Sequence, residues 1–519
     1  MIRTILKSLL KPEAYPEPTH YVEMLQTHVS WIFLTDSHAY KVKKAVDFGF
    51  LNFSTIDRRR FYCNEEVRLN RRLCPDIYEG VVELRETPGG AAFFGDGPII
   101  DFAVRMKRMP AERMLDRMVK SNEISVADMR EVARVIAAFH QAAPTSPAIS
   151  EYGHLDRIMF NWLENLEQMI PFEDTTLPAG ERERIREWVS SFAEENAELF
   201  SRRVDEGFIR ECDGDIHLEN ICMLADRVCI FDCIEFNERF RCCDTAADVA
   251  FLLMDLDYHG RHDLAGEVIA AYLAASGDSG MTALIDFYKI YRAVVRGKVE
   301  SFRLNDHGIE RHERERAAER ATRYFRLARG YIERRGLRPT LFITCGVMGC
   351  GKSTLAEQLC FELGIAGFSS DAVRKRLAGL QPGTPVPEAY AAGLYDRRTS
   401  DAVYAELIRL AEAELASGRS VLLDASFMRR ADRSRCATLA ERCSAAFVIL
   451  RVTCGDAENR RRLTERSASG RSVSDGRVEL LDQQRQAFEP PGEEEGLLIT
   501  LIAAGSPASL TNQIYGRLS

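Results

Sequence analysis
Apolar and polar positions alternate with period two early in the chain. Val29-Ser30-Trp31-Ile32-Phe33-Leu34 and Ala39-Tyr40-Lys41-Val42-Lys43-Lys44 flank the turn signal Asp36-Ser37-His38. This predicts a β-hairpin over 29–35 and 39–46. An arginine-rich helix over 55–73, carrying Glu65 and Glu66, and short strands over 80–86 and 100–106 follow. From 123 the spacing turns helical, with Val132, Val135, Ile136, Ala138 and Phe139 on one face. Charges of alternating sign fill 303–338, with Tyr324, Phe325, Leu327 and Ala328 as an apolar face and Gly336 and Pro339 as stops. This predicts a long helix packed on the first domain and a boundary near 335–340. Beyond it, the runs 341–344, 365–370, 420–424 and 446–452 alternate with helical stretches. That order predicts a parallel sheet flanked by helices. A helical insert there carries Tyr390, Tyr395 and Tyr404.

Composition narrows the class without naming a chemistry. The 519 residues are 46% hydrophobic and 28% charged, ordinary globular usage. The net charge of −9 disfavours nucleic acid or a membrane surface as partner. No 18-residue apolar run exists, and residues 1–10 have no signal-peptide pattern. Fourteen cysteines include no C-x-x-C pair, so a zinc cluster is disfavoured and a reduced, cytoplasmic setting is expected. Cys222 and Cys229 read as small core residues, and His140 as a core histidine on an apolar helix face.

The chemistry begins at Gly346-Val347-Met348-Gly349-Cys350-Gly351-Lys352-Ser353, which fits G-x-x-x-x-G-K-[ST] between a β-prone run and a helix opening. Glycines let backbone N–H groups close on phosphate, and the new helix N-terminus adds positive potential. Gly346, Gly349, Cys350, Gly351, Lys352, Ser353 and Thr354 are therefore the candidate ATP-binding set, with Lys352 reaching the phosphates and Ser353 ligating Mg²⁺. Asp424 ends an apolar run, the form of a second Mg²⁺-holding carboxylate.

A second chemical stretch, Asp213-Gly214-Asp215-Ile216-His217-Leu218-Glu219-Asn220, lies upstream, with Asp232 twelve residues beyond Asn220. An Asp, an Asn five later and a second Asp after a hairpin is the catalytic-loop spacing of protein kinases. This half resembles the aminoglycoside phosphotransferase-like kinases through Gly214, Asp215, His217 and Asn220. The resemblance implies Asp215 as catalytic base and Asn220 and Asp232 as Mg²⁺ ligands. It also implies Lys41 on the phosphates, paired with Glu66, with Lys43 and Glu65 as substitutes. Asp248 resembles the buried Asp that braces the loop, and Arg105–Pro110 falls where the lobe hinge would be. Asp213 stands where that family usually has His, and Thr27–Ser30 replaces a glycine-rich loop. The helix near 287–299 mixes aromatic and basic residues, which serve core packing or an anionic substrate.

The C-terminal half resembles P-loop kinases of the zeta-toxin, polynucleotide-kinase and gluconate-kinase type over about 339–500. The resemblance implies Asp371 as base for an acceptor hydroxyl and Arg374, one turn on, as holder of the acceptor's anionic group. It implies Arg462 and Arg466 as lid arginines over the transferring phosphoryl group, and Gln483 and Phe488 near the adenine. The whole chain resembles bacterial fusions of these two modules, most closely at "THVSWIFLTDSHAYKVKKAVDFGFLNFST" and "FDCIEFNERFR". The expected architecture is α/β and α+β. A bilobal kinase-like domain spans 1–305, a helical linker 306–338 and a P-loop parallel-sheet domain 339–519. The expected activity is ATP- and Mg²⁺-dependent phosphoryl transfer to a hydroxyl of a small molecule, from two nucleotide sites. The alternatives are a nucleotide-gated regulator with a pseudokinase first domain and a polynucleotide 5′-hydroxyl kinase.

Overall fold
The computed structural model describes residues 2–306, 308–380, 396–469 and 478–518. Tyr390, Tyr395, Gly470, Arg471 and the side chain of Arg466 lie outside the described residues. The chain divides into two compact units, Met1–Ala318 and Glu319–Ser519.

The first unit opens on a six-stranded antiparallel sheet. Its spatial order is Glu23–Gln26, Ser30–Leu34, His38–Lys43, Ile99–Lys107, Tyr78–Thr87 and Gly90–Ala92. The predicted hairpin pairs Ile32 with Lys41 and Trp31 with Val42. Alternation puts Tyr40 and Val42 into one apolar cluster with Phe33. Lys41 and Lys43 point to the other side, where the helix Ile56–Asn70 crosses. Thr55 caps that helix by accepting from Arg58 N at 3.3 Å. The remainder is largely helical. Val126–Ala142 starts at a capping box of Ser125 and Asp128. All fourteen residues of Thr245–Tyr258 are buried, as expected of a helix apolar on every side that passes through a core. Between them lie two small antiparallel pairs, Ile209–Glu211 with Cys242–Asp244 and Ile221–Met223 with Val228–Ile230.

The second unit is a five-stranded parallel sheet. Its order is Ala366–Ser369, Val421–Asp424, Thr340–Cys345, Ala446–Thr453 and Leu497–Ile502. Helices cover both faces, which is why its strands are continuous apolar runs. Leu341, Ile343, Val421, Leu423 and Ile449 face one core, and Phe342, Leu422, Val448 and Leu450 the other. Burying each such side chain contributes roughly 1.5–3 kcal/mol.

The charged helix runs Arg311–Arg335, and the division between units falls inside it. Its second half joins the second unit, not the first as expected. Tyr324, Phe325, Leu327 and Ala328 are buried there. Arg326 locks the docking through Glu362 at 2.8 and 2.9 Å and Asn512 at 2.6 Å. No described helix is long and apolar enough to cross a membrane.

Candidate functional site
In the first unit, strand periodicity sends Lys41 and Lys43 to one face, and the helix Ile56–Asn70 brings Glu66 beneath them. Glu66 is fully buried and divides its carboxylate, Oε1 to Lys41 at 2.9 Å and Oε2 to Lys43 at 2.6 Å. Lys41 also pairs with Asp232, and Lys43 with Glu235. The result is a chain of five charges, Asp232–Lys41–Glu66–Lys43–Glu235. Burial opposes the charges on Lys41, Glu66, Lys43 and Glu235. Lys41 and Lys43 overcome that opposition at Glu66 and hold it at about 2. Asp232, Glu66 and Glu235 likewise keep Lys41 well above the ordinary lysine range. Glu235 is the surplus acid. Burial and the nearby Glu66 lift it despite Lys43. Asp232 sits in the left-handed region at φ 67°, its amide donating to the Tyr78 hydroxyl at 3.2 Å. Its side chain is 43% exposed, so it can meet a ligand.

The loop Asp213–Asn220 is held from below by Asp248, fully buried. Its carboxylate accepts from Asp213 N at 3.0 Å and Gly214 N at 2.9 Å. His140 lies 3.2 Å from the same carboxylate, with its other nitrogen 2.8 Å from the Tyr272 hydroxyl. His140, Cys212 and Asp248 thus approach within 4.8 Å, but Asp248 is occupied bracing the loop and both His140 nitrogens have protein partners. Asn220 Nδ2 donates to Asp215 Oδ2 at 3.0 Å and to its carbonyl at 3.1 Å, setting the carboxylate's orientation. Burial disfavours charge on Asp215, but His217, Arg296 and Arg292 outweigh it and hold its pKa low. Its side chain keeps 31% exposure, enough to receive a hydroxyl. Asp213 does a backbone job, accepting from Asp215 N at 3.1 Å. Burial, with Asp248 and Asp215 close by, raises it well above the carboxylate range, which favours its neutral form.

In the second unit the glycine loop joins strand Thr340–Cys345 to helix Lys352–Leu363. Gly346, Gly349 and Gly351 have φ of 144°, 75° and 98°. A Cβ at Gly349 would fall 2.4 Å from Asn459 Oδ1, and one at Gly346 would fall 2.4 Å from the Val452 carbonyl. Only glycine leaves this backbone room to close round a phosphate. Lys352 Nζ donates to the Val347 carbonyl at 2.9 Å. Ser353 Oγ donates to Asp424 Oδ2 at 2.6 Å, and the Thr344 hydroxyl lies 2.8 Å from Asp424 Oδ1. A hydroxyl and a carboxylate meeting at the loop's end form an all-oxygen donor set that fits Mg²⁺. Cys350 is buried under the loop and Thr354 is exposed on the new helix.

Ser369 pairs with Asp424 across the strand ends, so Asp371, in the first turn of helix Ser370–Leu377, stands at the same carboxyl edge of the sheet. Arg374 is buried one turn on, with Nη1 3.5 Å from Ser400 Oγ. Glu458 at 2.6 Å and the Ala503 carbonyl at 2.8 Å hold the Arg462 guanidinium beside Gly351. Arg466, in helix Asp456–Ser469, has its side chain outside the described residues. The glutamine reaching the loop is Gln484, which accepts from Met348 N at 2.6 Å, rather than Gln483, and Phe488 packs on the core.

Sequence reasoning missed Glu235, Thr344, Gln484 and the disulfide Cys74–Cys229, which ties the end of the Glu66 helix to the strand before Asp232. Cys229 is therefore a bonded residue, not merely a core one. Glu235 had one usable signal, its place three residues after Asp232.

Residues 83–288 match the phosphotransferase enzyme family, and residues 341–491 match an AAA domain family. Rv2004c of Mycobacterium tuberculosis H37Rv, an uncharacterized protein, is 32% identical over 439 residues, which is 83% of this chain and 85% of that protein. Mb2027c of Mycobacterium bovis, also uncharacterized, matches to the same extent. Among solved structures, a choline/ethanolamine kinase family protein of Mesorhizobium loti covers 62% of this chain and 98% of its own at 14% identity and TM-score 0.37. A gluconokinase of Sinorhizobium meliloti 1021 covers 35% and 91% at 22% identity and TM-score 0.25.

Proposed function
The chain belongs to the family of Rv2004c, and its own phosphotransferase-family region is followed by one matching an AAA domain; on that premise we propose an ATP-dependent phosphotransferase with two nucleotide sites. Each unit transfers the γ-phosphoryl group to a hydroxyl of a small molecule. The observation that carries this reading is Asp215, oriented by Asn220 and open to solvent, on a loop whose neighbours Lys41, Glu66 and Asp232 are gathered in one charge chain.

In the first unit Lys41 takes the nucleotide phosphates, and Asp215 orients the acceptor hydroxyl. The hydroxyl oxygen bonds to the γ-phosphorus, the bridging β–γ oxygen bond breaks, ADP leaves, and Asp215 receives the hydroxyl proton. In the second unit Lys352 and the loop amides hold the phosphates, and Asp371 takes the corresponding proton. Arg374 holds the acceptor. Asn220 with Asp232 in one unit, and Ser353 with Asp424 in the other, would hold Mg²⁺, which offsets phosphate charge when bound. The test is ATP consumption over a panel of sugars, polyols and nucleosides. Asp215→Asn and Asp371→Asn should each remove part of the turnover and the double variant all of it. Full turnover in the double variant would sink the reading.

A second reading, a regulatory first unit without transfer, is favoured by Lys41 being already engaged by two carboxylates. It predicts that Lys41→Ala alters the second unit's turnover while Asp215→Asn changes nothing.

A further inference from the structure
Arg239 lies on the segment that returns from Asp232 and passes directly against the catalytic-type loop. A Cβ on Gly214, next to Asp215, would fall 2.8 Å from the carbonyl of Phe240 and 3.1 Å from Arg241 Cα. The backbone of Phe240 and Arg241 thus borders the loop that carries Asp215, and Arg239 is the residue before them.

The Arg239 guanidinium is held between two rings, 4.8 Å from the centre of Phe240 and 5.1 Å from that of Phe160. One nitrogen, Nη2, donates to Glu164 Oε2 at 2.7 Å. Among the described residues Nε and Nη1 donate to nothing, and the side chain keeps 20% exposure. Stacking fixes the plane and leaves donors open at its edge, the geometry that suits a planar or tetrahedral oxyanion.

The surroundings repeat the sign. Lys298 is satisfied by neutral oxygens, those of Asn165 and, at 2.8 Å, Gln168, rather than by a carboxylate. Glu164 is thus the shared acid for two cations. Burial pulls Lys298 down to about 8, with Glu164 opposing and Arg239 adding to the fall. On the same helix as Phe160 and Glu164, Trp162 Nε1 and Asn161 Oδ1 are buried without a partner among the described residues. Aromatic rings alone would suit a quaternary ammonium. Here a guanidinium already covers the Phe160 and Phe240 faces, and a second cation stands beside it, so a cationic acceptor is repelled.

We propose that Arg239, clamped by Phe160 and Phe240 on the segment that borders the Asp215 loop, is the anion-binding element of the first unit's acceptor site, which takes a hydroxyl compound that also carries a phosphate or carboxylate. The proposal rests on the phosphotransferase reading for the meaning of "acceptor", and its binding test does not depend on turnover.

The experiment is calorimetric titration of the full chain, with both nucleotide sites loaded with Mg²⁺ and a non-hydrolysable ATP analogue. The probes are glycerol against glycerol 3-phosphate and glycerate, glucose against glucose 6-phosphate and gluconate, and ethanolamine as the cation. The phosphorylated or carboxylated member of a pair should bind at least tenfold more tightly than its neutral partner. In a chain already carrying Arg374→Gln, which silences the second unit's own anion holder, the preference should persist; adding Arg239→Gln should remove it and adding Arg239→Lys should retain part of it. The phosphate and carboxylate arms decide which anion is preferred. Equal affinity within every pair, preference for ethanolamine, loss with Arg374→Gln alone, or a preference unchanged by adding Arg239→Gln would overturn the proposal. Should Arg239→Gln fail to fold, Arg239→Lys carries the test alone, and an unchanged preference there counts against it. If anion binding depends on Arg239 while Asp215→Asn leaves turnover intact, the transfer reading fails and this one stands.

Discussion

The two candidate nucleotide sites solve the same problem with opposite charge arrangements. In the first, Lys41 is engaged by Asp232 and Glu66, and its neighbour Lys43 by Glu66 and Glu235. In the second, Lys352 rests on a neutral carbonyl, that of Val347, and the carboxylate Asp424 is bonded by hydroxyls. A phosphate arriving at Lys352 replaces one dipole. A phosphate arriving at Lys41 competes with two formal negative charges. On the proposed reading, a divalent cation that drew Asp232 away would free the first site's lysine, whereas the second site's lysine rests only on a neutral carbonyl beside a preformed glycine cradle.

The largest expected effect comes from breaking the first charge chain. Glu66→Leu leaves two buried lysines short of a partner and should cost about 3–5 kcal/mol. Thermal unfolding by circular dichroism should show a loss confined to the first unit. An unchanged melting profile would mean the lysines find other partners. Next, Gly349→Ala places a Cβ against Asn459 and Leu463. It should weaken nucleotide binding by the second unit roughly tenfold or more, about 1.4 kcal/mol, read with a fluorescent ATP analogue. Full affinity would show that the loop yields easily. Removing Mg²⁺ with a chelator should then sharpen the contrast. First-site affinity should fall more than second-site affinity by roughly tenfold, measured in Lys352→Ala and Lys41→Ala backgrounds. Equal losses would erase the distinction between the sites.

The smallest effect concerns pH. The pKa of Asp213 is raised by burial and then by Asp248 and Asp215. A raised carboxyl pKa contributes stability fully below the ordinary carboxylate range and loses it as pH rises through the raised value. Asp213→Asn keeps an oxygen for Asp215 N and does not titrate. The variant should match the native protein to within about 1 kcal/mol at pH 4 and become the more stable of the two as pH rises, by urea denaturation. The opposite trend would mean Asp213 is ionised.

What could be read in the chain and what could not follows from sequence separation. The glycine loop, its flanking strand and helix, and Ser353 lie within one continuous stretch from Thr340 to Leu363, so their geometry is local. Lys41 with Glu66 was legible because a strand period and a helix period each aim one residue. Glu235 was not, since its pairing with Lys43 spans 192 residues and rests on how the segment after Asp232 folds back. The Cys74–Cys229 bond spans 155 residues and is invisible for the same reason. The charged helix looked like a linker because its surface pairs, such as Arg311 with Glu315, are local. Its anchoring contact, Arg326 with Glu362, is not. Arg462 and Arg466 share a helix face by spacing, but spacing does not say that Glu458 and Ala503 already engage Arg462.

The central claim, two nucleotide sites of different construction on one chain, is tested most directly by calorimetric titration of the full protein with a non-hydrolysable ATP analogue and Mg²⁺. The account predicts two binding events, of which Lys352→Ala removes one and Lys41→Ala the other. A single event, or two that survive both substitutions, would contradict it.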